Sequence, residues 1–194
     1  MIKSFQAALC ASSSLAVSTT QAAEAGVVAT ATETGGDVVI TADGSYDITG
    51  LTLVNSGVTF LVNPSGINPD AGELLLLNTT ADIYSGLLSV PDFGGVPGSL
   101  ADLFSGGTFG VANSQLLVQT NAPTVGQVSA SITFQNASFA SLNMMEGSYE
   151  WGWSTDRFVL NVGDVPPPVP LPAGLPLLVG GAGALFALRR SRRA

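Results

Sequence analysis

Stretches rich in β-branched and aromatic residues alternate with turn-forming residues between positions 26 and 164. Val, Thr, Ile and Phe favour extended structure, so these stretches are predicted to be strands. The clearest predicted strands are Val27–Thr34, 38–41, 58–62 and 128–134. Gly, Asn, Asp, Ser and Pro supply turn chemistry between them. The predicted turns are 35–36, 43–45, 55–57 and 63–66.

Strands of about five residues, with turns every eight to twelve residues, are typical of two packed sheets. The predicted fold class is therefore all-β, with an antiparallel β-sandwich or jelly-roll-like body between an N-terminal signal helix and a C-terminal transmembrane helix. A β-solenoid is the alternative, although the sequence has no fixed repeat period. One short helical turn is predicted over 99–104, with Ser99 as its N-cap and Gly106 ending it.

The final part of this body has a clear period of two. Tyr149, Trp151 and Trp153 would share one face of a strand, and a turn is predicted at Thr155 and Asp156. The following strand would place on one face Phe158, Leu160 and Val162. Such a face normally packs into a core. The alternative is a sugar-stacking platform beside Glu146 and Glu150, as in a carbohydrate-binding module or a weak glycosidase.

Residues 1–25 have the three parts of a secretory signal peptide. Lys3 supplies the positive region, a run of small and apolar residues follows, and Ala23-Glu24-Ala25 provides an A-x-A cleavage site. Cleavage is expected before Gly26, with cleavage after Ala23 as a near competitor. The expected partners at this end are the Sec machinery and a signal peptidase.

The C-terminal end has three successive parts, which are a proline-rich spacer and motif (165–172), an uncharged helix (173–188) and a basic tail (189–194). The uncharged stretch from Val169 to Leu188 would measure roughly 30 Å as a helix, enough to cross a bilayer core. The basic residues that would hold the tail in the cytoplasm are Arg189, Arg190, Arg192 and Arg193.

The order of proline motif, hydrophobic helix and terminal arginines resembles the PEP-CTERM class of protein-sorting signals. The residues that match its VPLPA variant are Val169, Pro170, Leu171, Pro172 and Ala173. The resemblance covers only about the last 26 residues and implies nothing about the fold of the body. It implies recognition by an exosortase, a membrane-embedded cysteine protease-transpeptidase, and association with exopolysaccharide or biofilm systems.

Other anchors fit the tail less well. Leu171-Pro172-Ala173-Gly174 lacks the threonine after which sortases cleave, and a GPI signal does not normally end in arginines. An ordinary single-pass anchor that is never processed is the remaining alternative. In every version the body lies outside the cytoplasm, and processing would then release it to the cell surface or the medium.

Composition narrows the chemistry of the body. Its one basic residue between the two ends is Arg157, while all fourteen acidic residues lie between Glu24 and Asp164, so binding to nucleic acid is not expected. The absence of histidine excludes the usual catalytic triads, and no catalytic, cofactor or metal residue is assigned. Oxygen ligands in one loop could hold calcium, but ordinary turns are the favoured interpretation of Asn63, Asn68, Asp70 and Glu73.

These observations predict a non-enzymatic surface or extracellular-matrix protein, exported and then sorted through its tail. Cys10 is the only cysteine and lies in the segment expected to be removed, so the mature protein would contain no disulfide.

Overall fold

The computed structural model describes residues 26–60, 64–78 and 80–164, which form an almost entirely β structure. Apart from strands, this part of the chain contains a single 3₁₀ turn over Pro69–Ala71. The strands are β1 (Val27–Thr34), β2 (Asp37–Asp47), β3 (Thr52–Thr59), β4 (Gly66–Asn68), β5 (Glu73–Leu76), β6 (Thr80–Ser85), β7 (Ser99–Leu100), β8 (Leu103–Gly106), β9 (Phe109–Ala112), β10 (Gln115–Gln119), β11 (Val125–Phe134), β12 (Gly147–Gly152) and β13 (Arg157–Val162). The prediction of an all-β body is confirmed.

Two sheets share one hydrophobic core. The six-stranded sheet has the order β12-β13-β1-β2-β11-β8, and the seven-stranded sheet has the order β3-β6-β10-β9-β5-β4-β7. Neighbouring strands run antiparallel in both sheets, with one exception. The first strand, β1, pairs parallel with the last strand, β13, from Val27 opposite Phe158 to Ala31 opposite Val162. The expectation of a wholly antiparallel body is therefore corrected at this pair, and the largely antiparallel pairing gives no support to a solenoid.

Alternation of side chains explains how the core forms. On β1, Val27, Ala29 and Ala31 face inward and are fully buried, while the residues between them are more exposed. Large rings fill the space beside these small side chains, since Trp151 stacks on Phe158 with ring centroids 4.9 Å apart. Packing of aliphatic and aromatic side chains from both inner faces supplies most of the stabilisation of such a structure.

Two predicted turns lie within strands instead. Residues 43–45 are part of β2, because Gly44 lets the carbonyl of Gly26 approach closely and accept a hydrogen bond from the Ser45 N–H at 2.9 Å. A side chain at Gly44, whose φ is 141°, would overlap that carbonyl. Residues 55–57 are part of β3, where the register against β6 shifts as in a β-bulge.

The predicted helical turn over 99–104 is wrong. Ser99–Leu100 forms β7 against β4, and Leu103–Gly106 forms β8 against β11. Between them the N–H of Ala101 donates to Ser65 O and that of Asp102 donates to Thr133 O, both at 2.9 Å. The edges of two sheets offer hydrogen-bond partners along this whole segment, and that tertiary pairing outweighs the local preference for a helical turn.

The parallel pairing of β1 and β13 gives the six-stranded sheet two distinct ends. We call one the Gly26 end, where both strands begin and where Asp47 and Asp156 also lie. We call the other the Gly163 end, where both strands finish, and where the Gly163 N–H donates to Ala31 O at 3.0 Å.

Replacing Trp151 by alanine should strongly destabilise the body, because this side chain is fully buried and touches rings from several elements. The expected loss is about 3 to 5 kcal/mol of unfolding free energy. Tyr149→Ala on the same strand is the matched control, since Tyr149 is half-buried and should cost clearly less. Urea unfolding followed by circular dichroism measures both, and equal losses would contradict this description of the core.

Candidate functional site

The residues predicted to direct export and sorting lie outside the described residues. They comprise the motif Val169, Pro170, Leu171, Pro172 and Ala173, the four arginines of the tail, and Ala23 and Ala25 of the signal. The predicted tail helix, 173–188, lies outside them as well. Within the described part of the chain, no helix is both long enough and apolar enough to span a bilayer.

The aromatic face on β12 belongs to the core, as its favoured interpretation predicted. Trp151 is fully buried and Trp153 is 5% exposed. Each indole N–H donates to a backbone carbonyl, from Trp151 Nε1 to Gly72 O at 3.0 Å and from Trp153 Nε1 to Asp47 O at 2.7 Å. Rings held in this way offer no open face on which a sugar could stack.

The loop considered for calcium is a turn over its described residues. The N–H of Gly72, which has a left-handed φ of 64°, donates to Pro69 O at 3.2 Å and closes the 3₁₀ turn. The Glu73 carboxylate accepts a hydrogen bond from the Asn113 N–H at 3.2 Å. Asn63 lies outside the described residues. Among the residues that are described, no three acidic, cysteine or histidine side chains are grouped so as to hold a metal ion.

Acidic side chains have a structural role that composition alone did not reveal. Within the described body, eight carboxylates accept hydrogen bonds from backbone N–H groups of loops and strand ends, and we call them the capping carboxylates. Each provides an acceptor for at least one backbone N–H group. They are Glu33, Asp37, Asp47, Glu73, Asp82, Asp92, Asp102 and Asp156.

Asp82 is the most buried of them, with 4% of its surface exposed. It lies on β6 and joins the bulged part of β3 to the turn that follows β10. Its Oδ1 accepts from Gly57 N–H and from the Ser56 hydroxyl, both at 2.8 Å, and its Oδ2 accepts from Asn121 N–H at 3.0 Å. Desolvation by burial acts to raise the pKa of Asp82, but these three hydrogen bonds outweigh it and leave the pKa below its ordinary value.

At the Gly163 end, three capping carboxylates hold the segment that follows β11. Asp102 accepts from the Gln135 N–H at 2.7 Å, and Asp37 accepts from the Asn136 N–H at 2.9 Å. Glu33 accepts from the Phe139 N–H. These bonds fix the start of the long connection to β12, so that Phe139 and Leu142 can pack into the core.

At the Gly26 end, Asp156 joins β2 to β13. Its Oδ2 accepts from the Asp47 N–H at 2.9 Å, and its Oδ1 accepts from the Arg157 N–H at 2.8 Å. Gly26 lies so close that a β-carbon on it would overlap both carboxylate oxygens. Hydrogen bonds from the hydroxyl and the N–H of Thr49 lower the pKa of Asp47, which favours its charged form. Asp47 and Asp156 together form an anionic cluster beside the start of β1.

Sequence reasoning missed the capping role for most of these residues. Asp47 precedes Thr49 and Asp92 precedes Gly94 by two positions, a spacing typical of Asx turns that a local search would have detected. The others bridge residues that are far apart in the chain, such as Asp156 and Asp47 with a separation of 109 positions. No local signal points to those.

Comparisons with known proteins do not place the chain in a family, since no protein-family model, no curated protein and no solved structure matches it. Any assignment of function therefore depends on the residues of this chain.

Replacing Asp82 by asparagine should cost about 2 to 3 kcal/mol of unfolding free energy, because a buried charged acceptor is lost and an N–H donor would then face another N–H. Asp92→Asn is the matched control, since Asp92 is exposed and accepts one bond from Gly94. The measurement is urea unfolding at neutral pH. Similar losses from the two changes would contradict the structural importance of Asp82.

Acid should destabilise the body partly through Asp82. Its folded pKa is lowered, so the unfolded chain takes up the proton first as pH falls below about 4. The stability that Asp82 contributes is therefore present above that pH and is lost as pH falls through the folded pKa. Unfolding free energies from pH 6 to pH 3 should decline less steeply in Asp82→Asn than in the wild type. Parallel declines would show that Asp82 does not titrate in this way.

Proposed function

We propose that this chain is a non-enzymatic surface or extracellular-matrix protein, exported through a cleavable signal and sorted by its C-terminal tail. The observation that carries the proposal is the order of features in that tail. A VPLPA motif at 169–173, an uncharged stretch to Leu188 and four arginines follow one another without interruption. Each part has a separate physical task.

The arginines act as a topological stop. An arginine at the centre of a membrane helix costs about 2.5 to 3.5 kcal/mol on insertion scales, so moving four of them across a bilayer is strongly disfavoured. The tail then keeps its charged end in the cytoplasm while the body stays outside. The motif is thereby held at the outer face of the membrane.

The prolines prepare the motif for processing. Pro170 and Pro172 cannot continue a regular helix, so the backbone around Leu171 stays extended, which is the form that a protease engages. The expected enzyme is an exosortase-like membrane protease-transpeptidase, as the family resemblance implies. Association with exopolysaccharide follows from that resemblance as well.

The architecture of the body supports this assignment. Its first strand begins one residue after the expected signal cleavage site, and its last strand ends at Val162, before the spacer at 165–172. Cutting the chain at the motif would therefore leave every described strand in place. The spacer would leave from the Gly163 end, so the opposite Gly26 end would point away from the membrane.

Two features favour a structural body over a catalytic or sugar-binding one. The pKa values of Asp47 and Asp82 are lowered, the opposite of what a general acid in glycoside hydrolysis needs. The tryptophans of the aromatic face are buried, which argues against the carbohydrate-binding alternative that used them. Sharing of one core by the two sheets supports a sandwich as the finer fold class.

Replacing Arg189, Arg190, Arg192 and Arg193 together by serine tests the stop. Without these charges the tail can pass through the membrane, so full-length protein should appear in the medium and the anchored fraction should fall. Fractionation and immunoblotting of the native host measure both. The control is Arg157→Ser in the body, which should leave the distribution unchanged. Unchanged anchoring of the quadruple variant would show that the four arginines do not act as a topological stop.

Replacing Pro170 and Pro172 by alanine tests the motif separately. Helix can then extend through the segment, so the protein should stay anchored but accumulate in its unprocessed, heavier form. Pro166→Ala and Pro167→Ala in the spacer provide the matched control and should be processed normally. If the motif variant were processed at the wild-type rate, a plain membrane anchor would replace the sorting signal as the interpretation.

A further inference from the structure

Gly26 occupies a site that accepts no side chain. A β-carbon at this position would overlap both oxygens of Asp156. The nitrogen and the β-carbon of a residue share one α-carbon and lie about 2.5 Å apart, so the Gly26 nitrogen lies within about 5 Å of that carboxylate. An opposite charge at such a distance interacts measurably with a carboxylate.

Hydrogen bonds hold both partners in place. Gly26 O accepts from the Ser45 N–H, and Asp156 accepts from the N–H groups of Asp47 and Arg157. The other charged groups near this point are Asp43 and Asp47 on β2 and Arg157 on β13, whose guanidinium lies 3.5 Å from Glu150 on β12. The surroundings of the Gly26 nitrogen are therefore mainly anionic, in a body that has few cations to offer.

We infer that the signal is cut at the Ala25–Gly26 bond and that the α-ammonium group released on Gly26 forms an ion pair with Asp156. This inference depends on the export proposed above. In the cut, water adds across the amide, so that Ala25 leaves with a carboxylate and the Gly26 nitrogen becomes the new amino terminus. At neutral pH that nitrogen is largely protonated and adds a cation beside the Asp156 carboxylate.

The pairing distinguishes the two cleavage sites that the sequence leaves open. Cleavage after Ala23 would leave Glu24 and Ala25 ahead of Gly26, so the ammonium group could lie up to two residues from Asp156. It would also bring the Glu24 carboxylate toward an anionic cluster. Cleavage before Gly26 avoids both effects and ties the start of β1 to the start of β13.

The mature protein offers an unusually clean way to detect this ion pair. Lys3 is the only lysine of the chain and leaves with the signal, so the α-amino group is the one primary amine that remains. An amine-reactive ester modifies only the unprotonated amine. Its rate on the exported protein, measured in the folded state and in urea, therefore reports how strongly the fold holds the ammonium form.

The expected result is that the folded wild type is labelled about three to eight times more slowly than the urea-unfolded chain near pH 7.5, because an ion pair favours the protonated amine, which does not react. Asp156→Asn should abolish most of that protection. Asp43→Asn is the matched control, because it removes an equal charge from the neighbouring strand on an exposed side chain and should keep the protection.

N-terminal sequencing of the same exported protein distinguishes a failure of the ion pair from a failure of the proposed export. A mature terminus at Gly26 with equal labelling rates in folded and unfolded wild type would overturn the ion pair and leave the export proposal intact. A terminus at Glu24 would overturn the assigned cleavage bond, and Met1 would overturn export through a cleaved signal as well. The wild-type comparison decides the matter even if Asp156→Asn does not fold.

Discussion

Pairing of the first strand with the last, side by side and parallel in the middle of the six-stranded sheet, is the constraint on which the rest of the body depends. It buries both strands on the core face and places the two chain ends of the body at opposite ends of the sheet. Because β13 is hydrogen-bonded on both sides, by β1 and β12, the last strand of the body is an inner strand of the sheet and not an edge strand.

The many acidic residues of the body have a structural role in addition to keeping the protein soluble. A sheet protein with long connections contains many backbone N–H groups that no strand can satisfy, and leaving them buried and unpaired is costly. Here carboxylates accept hydrogen bonds from such backbone groups, as the buried Asp82 does between β3 and the turn after β10. A chain with almost no lysine or arginine in its body can use its acids in this way without competition from salt bridges. The ion pair between Arg157 and Glu150 lies on the surface, where such pairs contribute little to stability.

The sequence predicts a structural feature well when the residues that determine it are close together in the chain, and poorly when they are far apart. Alternation on β12 and β13 correctly indicated a core face, because strand geometry repeats every two residues. The sequence predicts turns at Gly44 and Gly57, but both lie within strands. Glycine permits both a turn and a close approach within a strand, and only the neighbouring chain decides between them. The segment from Ser99 to Gly106 has helical local chemistry but lies where two sheet edges provide partners. Likewise, the capping bonds of Asp82 and Asp156 join distant residues and could not be anticipated.

Under the proposed function, the β body holds its own shape and the tail would determine where the protein is delivered. The most direct test is the intact mass of the protein recovered from the surface or medium of its native host. The account predicts one species that lacks both the first 25 residues and the uncharged helix with its terminal arginines. Recovery of a mass that corresponds to the whole chain, from Met1 to Ala194, would contradict it.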